Sequence, residues 1–428
     1  MTHLDATVVN VALASIRADF GTSFATVQWV IGGYLLALAL MLPLNAWLVS
    51  RVGAKRLYII CFAAFTATSL LCGAARSAEQ LIAARMLQGI AGGLLTPMSQ
   101  MMLAQIAGPH LARVAGYMAV PIVMAPVIGP VVAGAILKIA GWPWLFYINV
   151  PIGIAAIALA IRLLPADEAA RERRPFDMLG FILISPGLVG VLFGLDRLPS
   201  VAGIVSLAAG IALLAGFVVH ALHRKEAALV DLRLFANRTF ATATMTQFLS
   251  NGANLAGQLL LPLFLISGCG YSPVTAGWML APIGIGMLCV YPLQGTLTDR
   301  FGYRAVSAGG AVLLTLSTLP VLWMTRNPLL PVVLVGALFA RGVGQSAIGV
   351  PSLAAAYTAI PREAIPLAST AANIAQRLGG PTATTLMAIV LSFTAAYGAG
   401  PAAFFAALVA LVALQLLVFT SAMRLPVR

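Results

Sequence analysis

The chain has 428 residues, 61% of them hydrophobic, and a mean hydropathy of +0.99. Charged residues make up 9%, where a soluble domain carries roughly 25%; a water-soluble enzyme, a nucleic-acid binder and a secreted domain are excluded. The net charge of +13 gathers on no soluble face but is scattered through short loops between long apolar runs, which points to a polytopic membrane protein.

Taken in chain order, the apolar runs predict fourteen membrane-spanning helices. They lie at about 1–16, 27–49, 57–75, 79–106, 113–140 and 143–164, then 178–195 and 200–221, then 239–268, 273–297, 304–325, 329–358, 364–397 and 401–423. The expected fold class is all-α, with a six-helix bundle over 1–164, a charged linker at 165–177, two additional helices over 178–222, a second linker at 223–238 and another six-helix bundle over 239–428. Barrel strands would show short alternating segments, and these runs are continuous. The first run holds about 16 residues before Arg17, about 24 Å of helix, which is short for a bilayer core of roughly 30 Å. Met1 is therefore expected to be a late start, or the chain to be truncated.

Orientation follows from the basic residues. With the N-terminus inside, 17 of the 25 Lys and Arg fall on the cytoplasmic side. Arg17, Arg76, Lys138, Arg197 and Arg326 fall opposite, and Arg85, Arg341 and Arg377 lie inside spans. That bias is the positive-inside pattern and predicts cytoplasmic termini. An internal repeat supports the same layout. At a constant offset of 249, Leu48, Arg51, Gly53 and Lys55 match Leu297, Arg300, Gly302 and Arg304, so the same turn recurs in each half. Paired halves around a midplane site are how many secondary transporters are built.

Ionisable and polar residues inside spans need a reason, because hydrocarbon makes them costly. Asp5, with Asn10 five residues on, is the one acid within an apolar run. It is either a carboxylate that binds and releases H⁺ or a helix-start residue near the membrane surface; burial and a nearby arginine act in opposite directions on a carboxylate's proton affinity. Arg85, in RMLQGIAGGLLTP with Gln88, is either a fixed charge on the cavity or a structural arginine bonded to carbonyls. Gly89, Gly92 and Gly93 allow close helix approach. Pro126, Gly129, Pro130 and Gly134 predict a bent fifth span, suited to a gate or merely tolerated for packing. Gln247, Asn251, Asn254 and Gln258 step by 4, 3 and 4 along one helix face, as Thr370, Asn373 and Arg377 do by 3 and 4. These stripes line a substrate path or bond between helices. The four cysteines read as packing residues. No P-loop, HExxH or GxSxG sequence occurs, so active transport would draw on an ion gradient.

Several stretches together resemble the fourteen-span drug:proton antiporters of the major facilitator superfamily, the EmrB/QacA type. They are LDATVVNVAL, VQWVIGGYLL, WLVSRVGAKR, LIAARMLQGIAGG, GPVVAGAILKIAGWPWLFYINVPIG, VDLRLFANRTF and GTLTDRFGYR. The resemblance implies a proton-driven exporter of amphipathic, often cationic, compounds in a bacterial inner membrane, working by alternating access and needing no cofactor. Asp5 and Arg85 would then serve proton coupling. Gly129 and Pro130 would belong to the antiporter helix, and Arg51, Gly53, Lys55, Asp299 and Arg300 to the cytoplasmic hinge. The implied partners are a small-molecule substrate, H⁺ and lipid, with a periplasmic adaptor and outer-membrane channel if the cell is Gram-negative; no nucleic acid is expected. The pattern departs at Ser50, where the family usually has aspartate, at Ala46 (glycine), at Pro143 (arginine) and at Ala14 (proline). Alternative readings are export of one endogenous metabolite and a transport-dead membrane sensor.

Overall fold

The computed structural model describes residues 2–167, 175–328, 330–395 and 401–427; most of the first charged linker, at 168–174, lies outside them. The first half comprises α1 (Thr2–Phe20), α2 (Phe24–Met41), α3 (Asn45–Val52), α4 (Ala54–Gly73), α5 (Ala78–Ala107), α6 (Leu111–Ile139), α7 (Trp144–Tyr147) and α8 (Asn149–Leu163). A hairpin of α9 (Met178–Asp196) and α10 (Val201–Arg224) follows. The second half comprises α11 (Arg238–Leu263), α12 (Pro273–Val290), α13 (Gln294–Met324), α14 (Pro331–Thr358), α15 (Ile365–Ala395) and α16 (Phe405–Ala422).

Among the described residues, 10 helical stretches are long and apolar enough to cross a membrane, or 11 if the bent pair in α6 counts as one span. Pro273–Met324 enters that number once, although Gly302 breaks α13 with φ 79° and ψ 167°. The bend in α6 is 41°, between Leu111–Ala125 and Ile128–Ile139. It falls where proline removes a backbone donor, although the side chain of Pro126 lies outside the described residues. The space beside Gly134 is open.

The internal repeat is written into the backbone well beyond the four matched residues. Gly53 adopts φ 92° and ψ 150°, and Gly302 repeats it; side chains rarely tolerate that region, so glycine is required at both turns. At the same offset, Ser23 and Ser272 cap α2 and α12, each accepting from a backbone N–H at 3.1 Å, of Thr26 and Thr275. The 3₁₀ turns Leu42–Leu44 and Tyr291–Leu293 match as well, each followed by a fully buried amide, Asn45 and Gln294.

The halves meet at the end that carries these glycine turns. There α5 and α3 touch α15, and α6 touches α12, α13 and α14. One apolar core runs through both halves at this end, from Met101 and Leu111 to Tyr357 and Ile365. Toward the opposite end the cores separate, one around Val8, Val27 and Phe146 and another around Phe264, Met324 and Phe404. The α9–α10 hairpin is joined by close backbone contact at Gly190, Gly194 and Gly210. It lies along the seam: α9 touches both α2 and α15, with Trp29 stacked on Phe193 at 6.0 Å.

Candidate functional site

The densest buried polar cluster in the first half gathers around Asp5. Arg85 donates from Nη1 to Asp5 Oδ2 at 2.6 Å, and both side chains are wholly sealed from solvent. A charged pair is tolerated in such burial when most of its remaining hydrogen-bonding capacity is met, and here all but Arg85 Nη2 finds a partner among the described residues. Arg85 Nε donates to the Val30 carbonyl at 3.1 Å, and Nη1 also reaches Gln88 Oε1. Asn149 Nδ2 donates to Asp5 Oδ1 at 2.7 Å. The guanidinium lies over the Tyr34 ring, 4.1 Å from its centroid, adding a cation–π contact in a dry setting. Close packing makes room for this: Gly89 and Gly93 lie against the backbone carbonyls of Tyr34 and Leu38, where a Cβ would collide.

Behind the pair stands a hydroxyl hub. Ser69 Oγ donates to the Phe146 carbonyl at 3.0 Å and accepts from Gln88 Nε2 and Asn149 Nδ2, both at 3.1 Å. The second half repeats it. Thr318, at the offset of 249 from Ser69, accepts from Arg341 Nη1 and Gln415 Nε2, both at 3.0 Å. Asp5 matches Asn254 at that offset, so the second hub holds an arginine and no acid. Arg341 instead donates to the Ala253 carbonyl at 3.3 Å.

The amide stripe on α11 bonds to α14 and α15 within the second half. Gln247 is buried and donates to the Gly349 carbonyl and to Ser352 Oγ, and Asn251 donates to the Gln376 carbonyl. Asn254 is partly exposed and accepts from the exposed Gln258 at 2.7 Å. On α1, Asn10 is exposed. On α15 the stripe divides. Thr370 accepts from Asn45 at 3.5 Å, and Asn373 donates to Gln100 at 2.8 Å, so both belong to the seam between the halves. Arg377 makes no hydrogen bond or ion pair among the described residues. Ser369 Oγ adds a bond to the Pro97 carbonyl at 2.9 Å. In α6, Gly129 is buried and Pro130 exposed.

At the glycine turns, Arg113 Nη2 joins Asp299 Oδ2 across the seam at 2.8 Å, half exposed. Arg51 lies near the Trp47 ring at 5.8 Å, and Arg300 near Phe301 at 5.3 Å. Ser50 donates to the Trp47 carbonyl at 2.8 Å. A carboxylate from the linker does reach this turn: Asp167 accepts from the backbone N–H groups of Lys55 and Arg56 at 2.7 and 3.1 Å. An acid at a helix N-terminus meets both free donors and the helix dipole. Lys55 Nζ in turn donates to the carbonyls of Ile161 and Leu164.

Asn149, Ser69, Tyr34, Gln100, Arg113 and Asp167 were not singled out from the sequence. Ser69 had one usable signal, its match to Thr318; the others sit among residues that pattern alone cannot distinguish.

A family model described as Major Facilitator Superfamily matches residues 1–384. The chain belongs to the major facilitator superfamily. It is 36% identical over 402 residues to a "Multidrug resistance protein B homolog" of Mycobacterium tuberculosis, covering 92% of this chain and 74% of that one. It is 34% identical over 328 residues to a "Putative multidrug resistance protein MdtD" of Serratia proteamaculans, covering 74% and 68%. Two solved structures share the superfamily fold at 14% identity. The human organic anion transporter MFSD10 (TETRAN) has a TM-score of 0.66 over 98% of this chain and 97% of that one. A double-tryptophan mutant of XylE has 0.64 over 98% and 92%. Family and apolar helices together make this superfamily member a multi-pass membrane transporter.

Proposed function

We propose that the chain is a proton-coupled antiporter of the fourteen-span type, exporting amphipathic compounds from a bacterial cytoplasm by alternating access. The observation that carries this reading is the sealed Asp5–Arg85 pair inside the first bundle. Asp5 is the one carboxylate within an apolar run, and it is held by two polar side chains, Arg85 and Asn149, that can release it. In this reading Asp5 alternates between two counter-charges, the Arg85 guanidinium and a proton. One proton crossing 100 mV supplies about 2.3 kcal/mol, and two halves that close at one end couple that step to substrate movement. With the N-terminus cytoplasmic, the shared core and the Arg113–Asp299 bridge close the cytoplasmic side. Relatives named for multidrug resistance support export.

The test is reconstitution of the full chain in proteoliposomes with an imposed pH gradient. An amphipathic dye is expected to accumulate against its own gradient only while the pH gradient lasts. Dye movement indifferent to that gradient contradicts antiport.

A further inference from the structure

An apolar groove of about 340 Å³ runs along the second half, between the end of α12, the first part of α13 and the middle of α14. Val290, Leu297, Phe301, Gly309, Leu313 and Ala347 are among its walls, and every residue that lines it is apolar. That volume falls in the range of roughly 300–1,000 Å³ that small-molecule sites occupy. The groove is open along one side. Phe301 is 52% exposed, and Ala305 and Gly309 are exposed with it. Steps of 3 and 4 lead on from Gly309 through Val312, Leu316, Leu319 and Trp323, an exposed apolar stripe along the rest of α13. On a membrane-spanning helix such a stripe faces acyl chains.

Gly309 sets the depth of the groove. A Cβ there would meet nothing within 4 Å, whereas at Gly310 it would collide with the Gly344 carbonyl. Helix packing therefore explains Gly310 and leaves Gly309 unexplained, although glycine weakens a helix interior. The internal repeat sharpens the contrast. At the offset of 249 the first half has Ile60, 55% exposed, in place of Gly309, and Arg56 in place of Ala305. The first half does not carry the same lining.

One mouth of the groove is charged. Phe301 lines it, and the Arg300 guanidinium lies 5.3 Å from the centre of that ring. Arg300 is exposed, and its guanidinium makes no hydrogen bond or ion pair among the described residues. Its neighbour Asp299 is taken by Arg113. Arg304 adds a second positive charge at the same turn, with its Nε held by the Leu425 carbonyl at 2.7 Å. An apolar trough with cations at one mouth matches a molecule with an apolar chain and an anionic head.

We infer that the groove holds one acyl chain of an anionic phospholipid whose phosphate sits on Arg300. The chain lies against Gly309, in the space that an isoleucine would fill. A guanidinium meets a phosphate through paired donors, and a zwitterionic headgroup gains less because it brings its own cation. The site is separate from the Asp5–Arg85 pair and rests on no step of transport.

The test is native mass spectrometry of the delipidated full chain, titrated with phosphatidylglycerol or phosphatidylcholine of the same acyl chains. The wild type is expected to hold one phosphatidylglycerol at least tenfold more tightly than phosphatidylcholine. Arg300→Gln is expected to bring the first lipid down to the level of the second. Gly309→Leu is expected to weaken both at least fivefold; the open space at that position admits the larger side chain, and an unchanged thermal transition confirms folding. Soluble glycerol phosphate is expected not to compete, because it has no chain to bury. Equal affinity for the two lipids, or tight phosphatidylglycerol binding that survives Gly309→Leu, overturns the site. Competition by glycerol phosphate overturns it as well, by reducing it to an anion contact at Arg300. So does a lipid-free dimer that Gly309→Leu dissociates, which gives the groove to a second copy of the chain.

Discussion

The two halves carry the same polar scaffold with different charges. Each has a hydroxyl on its third span, Ser69 or Thr318, receiving donors from its fourth and sixth spans. The first half adds Asp5 and so holds a paired charge; the second has Asn254 at the matching position and holds Arg341 without an acid. Hydrogen bonding is therefore what the scaffold conserves between halves, while charge is free to differ. In the proposed antiport reading that difference divides the labour, because only the first half has a carboxylate within an apolar run to trade a proton.

Breaking the pair in the first half should have the largest effect. Arg85→Gln leaves a buried carboxylate without its counter-charge, a loss of about 3–5 kcal/mol, read as a fall in the thermal transition of the purified protein. Adding Asp5→Asn makes this site resemble the second half, and the double variant is expected to regain most of that stability. If the double variant is as unstable as the single, the scaffold does more than hold a charge pair.

Removing each hub hydroxyl compares the halves directly. Ser69→Ala removes an acceptor from two amides, and Thr318→Val removes one from an amide and a guanidinium. Each should cost about 2–3 kcal/mol, with Thr318→Val the larger because its donor is charged. Equal losses in thermal stability would mean that the bond to the Ala253 carbonyl suffices for Arg341.

The glycine turns come next. Alanine at Gly302 should cost about 2 kcal/mol through its backbone region alone. Alanine at Gly53 should cost more, because a Cβ there would also meet the Asp167 carboxylate. Denaturation of the two variants side by side checks the order, and a cheaper Gly53→Ala breaks it. The smallest effect is expected at the seam's surface. Arg113→Ala should cost under about 1 kcal/mol, since the pair is half exposed, and the loss should shrink further in high salt.

Much of this was legible in sequence because hydrocarbon makes apolar run length and isolated polar residues informative. Asp5, Arg85 and Gln88 stood out for that reason, and the glycine turns stood out because Gly53 and Gly302 recur at a constant offset together with Arg51 and Arg300. Asn373 was legible as inward-facing, but not as part of the seam, since a helical face records direction without depth. Asp167 was invisible because its role depends on a linker folding back to a turn 112 residues earlier. Asn149 and Tyr34 are ordinary members of apolar runs until the fold brings them against Asp5 and Arg85.

The most direct test of proton coupling at Asp5 is substrate-induced proton release from the purified chain, followed in weakly buffered detergent solution with a pH indicator. The wild type is expected to release protons when substrate is added, and Asp5→Asn to bind the same substrate and release none. Undiminished release from Asp5→Asn would contradict the account.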